Sequence, residues 1–370
     1  MHPSQARDLL RKHRDGTLTA EERILLESWY LHVARSKGRN AGSEDIAEHL
    51  DDLELPFLQP VTRRPLWKWV AASVLMVLSA GLFYFSRQTP VAEAPVPAHD
   101  ALPGDNRARL ILADGKDILL DEARSGKLAQ EGNTSIVKTE EGELVYNTTP
   151  TRAAVLSHYN TIETPKAGQY QVKLSDGTRV WLNAASTIRF PAEFDARERV
   201  VEVVGEVYFE VAKAMEGTRR IPFKVVSGNQ EVEVLGTRFN INSYSDEGVI
   251  RTTLLEGSIQ VRTPEKGIVL QPGQQSRLST GQTLKVSQVN TSQVMAWKEG
   301  FFSFDGVGLK ELMRQLSRWY DMEVIYEGNT GDYEFVGRIS RNTRLSAVLR
   351  ILEAGGVRFR LEGKKIIVTE

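Results

Sequence analysis

The residues whose spacing could support acid–base chemistry are Glu206 and Glu210, four apart in the run VVEVVGEVYFEVA at 200–212. Side chains alternate along a strand, so these two carboxylates share a face and could approach one another. The same alternation reads more simply as a solvated face. The aromatics Trp181, Tyr208, Phe209, Phe239 and Tyr244 could build a platform that stacks on a sugar, although filling the space between β layers is the simpler use. There is no cysteine, which removes disulfides, thiolate nucleophiles and Cys-ligated zinc. The six histidines end at His158, so a Ser-His-Asp site or a His-ligated metal in the later β-rich region is excluded. His2, His13, His32 and His49 fall in the first sixty residues without paired ligand spacing. No G-x-S-x-G elbow, P-loop, H-E-x-x-H or Gly-rich dinucleotide fingerprint occurs. The expectation is no metal, no cofactor and no ordinary enzyme. A net charge of −1 without a long Lys/Arg run also argues against direct binding of nucleic acid.

With 370 residues, the chain is expected to hold two or more domains. Residues 1–60 read as a small all-α domain. A short helix over 4–13 stops at Asp15-Gly16, and Thr19 with Glu22 forms a capping box for a second helix carrying Leu25, Leu26, Trp29, Tyr30 and Val33 on one face. Ser43 caps a third, with Ile46, Leu50 and Leu53 on one side, and Pro56 ends it. Three short amphipathic helices make a marginal core, so their apolar faces call for a partner. The run LWKWVAASVLMVLSAGLFYF then predicts one transmembrane helix over 66–86, since twenty residues at about 1.5 Å each reach roughly 30 Å. Trp67, Trp69 and Tyr84 suit the two interfaces, and Lys68 is near enough to the boundary to snorkel. Arg63, Arg64 and Lys68 on one side against Arg87 on the other place the N-terminus in the cytoplasm.

Residues 87–108 read as an extended Pro/Ala linker. RLILADGKDILLD at 109–121 and QVKLSDGTRVWLN at 171–183 each set Asp-Gly between alternating apolar runs, a hairpin signal. From residue 200 short apolar runs recur with glycine between them. Residues 109–290, with a core over 160–264, are therefore expected to be all-β, as stacked hairpins or a short β-solenoid. Residues 297–370 change character to strand-helix-strand, strand-helix-strand-strand, with Leu309, Leu312, Met313 and Leu316 on one helix face. That predicts a separate α+β domain.

Several blocks carry a resemblance in the right order. SDGTRVWLNAAS at 175–186, VGEVYFEV at 204–211, PFKV at 222–225, VLGTRFNI at 234–241, LLEGSIQV at 254–261 and LQPGQQ at 270–275 resemble the periplasmic domain of FecR-like anti-sigma factors. RWYDMEVIYEG at 318–328 resembles the C-terminal module of many Gram-negative members, itself similar to the short signalling fold of secretins and TonB-dependent receptors. RDGTLTAEE followed by LLESW, within 14–29, resembles their sigma-binding domain. The resemblance implies a single-pass inner-membrane protein with a cytoplasmic N-terminus. It would hold an extracytoplasmic-function sigma factor, with Leu25, Leu26, Trp29, Ile46 and Leu50 as contacts. Its periplasmic part would sense the signalling domain of a TonB-dependent outer-membrane transporter. Some relatives cleave themselves at a Gly-Thr pair, and Gly236-Thr237 sits in the matching motif. The alternatives are a membrane-tethered glycan-binding module using Trp181 and Tyr208, or an envelope-assembly component.

Overall fold

The computed structural model describes residues 100–149, 158–279, 283–328 and 331–369, together with Lys12 and Gly281. The chain divides into two units, Met1–Thr89 and Pro90–Glu370, and everything described below belongs to the second. The expected helical domain with Leu25, Leu26, Trp29, Ile46 and Leu50 lies outside the described residues, as does the expected membrane helix with Trp67, Lys68, Trp69 and Tyr84.

The hairpins of the β-rich region alternate between two facing sheets. A short strand β1 (Asp105–Asn106) precedes them. The first sheet takes β2 (Arg109–Ile111) and β3 (Asp117–Leu119), and the second takes β4 (Gly126–Glu131), β5 (Thr134–Lys138) and β6 (Leu144–Thr148). The chain returns to the first with β7 (Tyr159–Thr164), crosses to the second with β8 (Gly168–Lys173) and β9 (Arg179–Leu182), and comes back with β10 (Ser186–Pro191). Strand β11 (Arg199–Glu210) belongs to both sheets. After a small ribbon, β12 (Met215–Glu216) with β13 (Arg219–Arg220), the alternation resumes. Strands β14 (Phe223–Ser227) and β15 (Gln230–Val234) lie in the first sheet, then β16 (Arg238–Ser243) and β17 (Val249–Glu256) in the second. Strands β18 (Ile259–Arg262) and β19 (Gly267–Leu270) close the first, and β20 (Gln274–Ser279) and β21 (Leu284–Gln288) the second.

Strand β11 changes sheets at Gly205. Before it, β11 pairs with β10 and, in parallel, with β14; from Gly205 onward it pairs with β9 and β16. Only glycine fits this bend. Its φ is +88°, and a Cβ there would lie 2.4 Å from Ser186 Oγ. Between the sheets lies one apolar core, in which Phe209 stacks on Phe239 with ring centroids 5.0 Å apart. One buried ion pair locks its edge. Arg199 donates to Asp176 at 2.6 Å and to the carbonyls of Ala212 and Ile221 at 2.8 Å each.

A short helix α1 (Thr291–Met295), capped by the Asn290 side chain, connects the sandwich to a C-terminal module. There β22 (Phe301–Gly308) leads into helix α2 (Leu309–Tyr320), then β23 (Glu323–Tyr326), β24 (Glu334–Ser340), helix α3 (Leu345–Glu353), β25 (Arg358–Glu362) and β26 (Lys365–Thr369). Strands β22 and β24 pair antiparallel, while β26 lies between β23 and β25. Leu309, Leu312, Met313 and Leu316 of α2 and Leu345, Val348, Leu349 and Leu352 of α3 fill a second core.

The expected fold class is corrected on this evidence. The described residues are mostly strand, and those from 100 onward hold three α-helices, with no all-α domain among the described residues. No helix among them is long and apolar enough to cross a membrane. The longest, α2, has 12 residues, which at about 1.5 Å per residue is roughly 18 Å. Its exposed side carries Lys310 and its flank Glu311, as a half-buried helix requires.

Candidate functional site at the seam between modules

The outer face of the second sheet is where the sandwich meets the C-terminal module. Strand register places Trp181, Tyr208 and Asn240 side by side in one row, and Glu206, Asn242, Arg251 and Arg277 in the next. This is the face expected to be solvated. Instead α1, β22 and α2 cover much of it, leaving a polar cavity of about 280 Å³ lined by Glu206, Asn242, Arg251, Gln275, Trp297, Arg318 and Arg341, among others. The alternation along β11 correctly separates two faces; what covers the second face depends on residues a hundred positions later.

Glu206 sits at the centre because Gly205 turns the strand there. Its backbone N–H donates to Ser186 Oγ at 2.9 Å. Its carboxylate accepts from Asn183 Nδ2 at 2.8 Å and from Asn240 Nδ2 at 3.1 Å. Burial pushes the carboxyl above the usual carboxylate range, and these two amide donors partly oppose the shift. Part of its surface still faces the cavity. Glu210 does not join Glu206; it accepts from the Tyr208 hydroxyl at 3.2 Å.

Two arginines of the C-terminal module complete the seam in different ways. Arg341 has no direct carboxylate partner among the described residues. It donates to Asn183 Oδ1 at 2.7 Å and to the Trp297 carbonyl at 2.9 Å, and lies 3.6 Å from the Trp319 ring centre. Asn183 therefore relays between charges, donating to Glu206 and accepting from Arg341. Burial lowers Arg341 to about 10, so it stays protonated at neutral pH. Arg318 of α2 donates to Asp246 at 2.9 and 3.1 Å and to Glu247 at 2.6 Å, over the face of Tyr244 at 3.8 Å. Glu247 also accepts from Arg251. Apolar contacts supplement this network, since Ala184 of the sandwich belongs to the C-terminal module's core.

The other expected site residues lie elsewhere. Gly236 (φ +132°) and Thr237 form the turn between β15 and β16; a Cβ at Gly236 would lie 2.5 Å from Lys213 Cγ. The buried Thr237 hydroxyl donates to the Ser258 carbonyl at 3.3 Å. Trp181 and Tyr208 do come together, with centroids 5.4 Å apart, but Lys298 Nζ lies 4.4 Å from one ring centre and 5.1 Å from the other. That cation occupies the surface a sugar would stack on. Phe209, Phe239 and Tyr244 are buried. Spacing gave no role to Arg341, Arg318 or Asn183, although Asn183 and Arg318 fall within the blocks at 175–186 and 318–328, because the partners that define their roles lie elsewhere in the chain.

Comparison with known proteins follows the same division. Residues 160–260 match the family model described as FecR protein, and residues 301–368 match the model described as FecR, C-terminal. Two crystal structures of a candidate anti-sigma factor from Parabacteroides distasonis are similar to this chain. The one at 1.65 Å is 30% identical with a TM-score of 0.52, over 56% of this chain and 97% of that one. The one at 2.50 Å is 29% identical with a TM-score of 0.53, over 57% of this chain and 99% of that one. No curated protein matches the chain.

Proposed function

We propose, from the premise that this chain belongs to the FecR family of anti-sigma factors and so regulates a sigma factor, that its target is of the extracytoplasmic-function class and its signal comes from a TonB-dependent outer-membrane transporter. The observation that supports this reading is the joining of a FecR sandwich and a FecR C-terminal module in one chain, across a seam of directional polar contacts. A signalling module must respond to a partner, and a seam of directional contacts is a place where such a response can act. The reading assigns residues 100–369 to the periplasm and the sigma factor to residues 1–60. Leu25, Leu26, Trp29, Ile46 and Leu50 are the proposed contacts. The family is one of regulators rather than enzymes.

Co-purification tests it. The full chain, co-expressed with the sigma factor encoded beside it, should retain that factor, and Trp29→Ala with Leu26→Asp should release it. A parent chain that retains no such factor would sink the proposal. Self-cleavage at Gly236-Thr237 is a finer part of the same reading. Gly236 holds a positive φ at this junction, and the Thr237 hydroxyl donates to the Ser258 carbonyl, a contact that cleavage would have to break. A gel decides: two fragments from the parent and one intact band from Thr237→Ala would establish it, and two intact chains would end it.

A further inference from the structure

The first described residues do not run straight into the sandwich. Asp100 lies on helix α3 of the C-terminal module, where its carboxylate accepts from the Ser346 backbone N–H and from Ser346 Oγ, each at 2.9 Å. That side chain is only 2% exposed. Helix α3 needs such an acceptor, because the residue at its own N-cap is Arg344, which makes no side-chain cap. The cap is thus supplied by a residue 246 positions earlier. Next, the Ala101 carbonyl accepts from Leu345 N–H at 3.2 Å. Gly104 is wedged where a Cβ would lie 2.8 Å from the Ala167 carbonyl and 2.9 Å from the Trp319 ring. Only then does β1 add in parallel to β8, at Asp105 opposite Gly168 and Asn106 opposite Gln169. The turn it joins is itself held by α2, since Ala167 N–H donates to the Arg318 carbonyl at 2.8 Å.

Residues 100–106 therefore touch both modules: α3 through Asp100, Trp319 of α2 through Gly104, and the sandwich through β1. We propose that this segment is a releasable strap. Its detachment from α3 is coupled to opening of the seam, and a partner gripping the C-terminal module passes its signal to the chain before residue 100 through the strap, without passing through the sandwich core. This deepens, and rests on, the reading of the chain as a sigma-factor regulator signalled through that module. The physical basis is the contrast in contacts. The strap is held by a few hydrogen bonds and by two small residues, Ala101 against the module core and Gly104 beneath Trp319, with Leu102 62% exposed, and so short an element opens at lower cost than the sandwich core.

Hydrogen exchange on the full chain tests the coupling. Removing a cap loosens a helix start by about five- to tenfold in its opening equilibrium. Asp100→Ala should therefore speed exchange by that factor at residues 100–106 and 343–349 and at the seam turn 165–168, and leave 223–234 of the sandwich unchanged. Unchanged exchange at 343–349 and 165–168, or an equal rise everywhere, would overturn the strap. The absence of native cysteine permits a second test. Asp100→Cys with Ser346→Cys, oxidised, pins the strap to α3. A sigma-dependent reporter should then stop responding to the transporter's ligand, and reductant should restore the response. A pinned chain that still responds would refute signalling through the strap. A parent chain that never responds would refute the partner assignment instead, and the exchange result would still judge the strap.

Discussion

The sandwich core and the module seam are both buried, but they are closed by different forces. Between the two sheets lie aromatic and aliphatic side chains, and the one deep ion pair, Arg199 with Asp176, is direct at 2.6 Å and backed by two carbonyls. At the seam, Arg341 reaches Glu206 only through the Asn183 amide, and a cavity remains beside it. Apolar burial is non-directional and tolerates no partial opening without loss in proportion to area. Hydrogen bonds lining a polar cavity open at smaller net cost than apolar contacts, because water can replace their partners. The difference teaches that the sandwich is closed by non-directional apolar burial and the seam largely by directional polar contacts.

The largest effect should come from the core. Phe209→Ala removes a ring stacked on Phe239 and should cost about 3–5 kcal/mol, seen as a lower denaturant midpoint for the entire unit. A loss confined to part of the molecule would break the contrast. Arg341→Ala should cost about 2–3 kcal/mol, because two charge-assisted hydrogen bonds are lost, leaving Asn183 Oδ1 with the Ala184 N–H and the Trp297 carbonyl with the Gly300 N–H. Here calorimetry should show one transition becoming two, as the C-terminal module uncouples while the sandwich keeps its own midpoint. A single transition shifted as a whole would mean that the seam is as cooperative as the core.

Glu206→Gln sharpens the comparison through pH. Burial raises this carboxyl in the folded chain, so its contribution to stability is fully present below the unfolded value, about 4.3. It is lost as pH rises from there through the folded pKa. Stability of the parent should therefore decline over that interval relative to Glu206→Gln, whose curve should be flatter. Parallel curves would show that the seam leaves the carboxyl as free as water does. The smallest effect is expected from Lys298→Ala, under about 1 kcal/mol, since it removes one cation from the faces of Trp181 and Tyr208. Trp181 fluorescence should shift while the unfolding midpoint barely moves. Saturable fluorescence quenching of the parent by a soluble oligosaccharide would revive the sugar-stacking alternative.

Some of this was legible residue by residue. Asp114-Gly115 and Asp176-Gly177 lie at hairpin turns, with the glycines at φ +83° and +85°, because a positive φ is a local demand that a dipeptide can answer. The apolar stripe Leu309, Leu312, Met313 and Leu316 lies on the buried side of α2 for the same reason: helical spacing is local. Asp176 was readable as a turn former but not as the partner of Arg199, twenty-three residues away. Glu206 was misplaced on a solvated face, since alternation reports two faces and not what covers each.

What the sequence determined by itself is the set of local elements: where strands turn, where helices present apolar stripes, and that no thiol or distal histidine is available for chemistry. Only the tertiary structure decided which polar residues become buried together. Asn183 stands between Glu206 and Arg341, and Asp100 caps a helix that begins at Leu345. The contacts of Asn183 with Arg341 and of Asp100 with Ser346 join residues 158 and 246 positions apart, and their energies exist only once both modules have folded. Propensity and periodicity report the short-range terms alone.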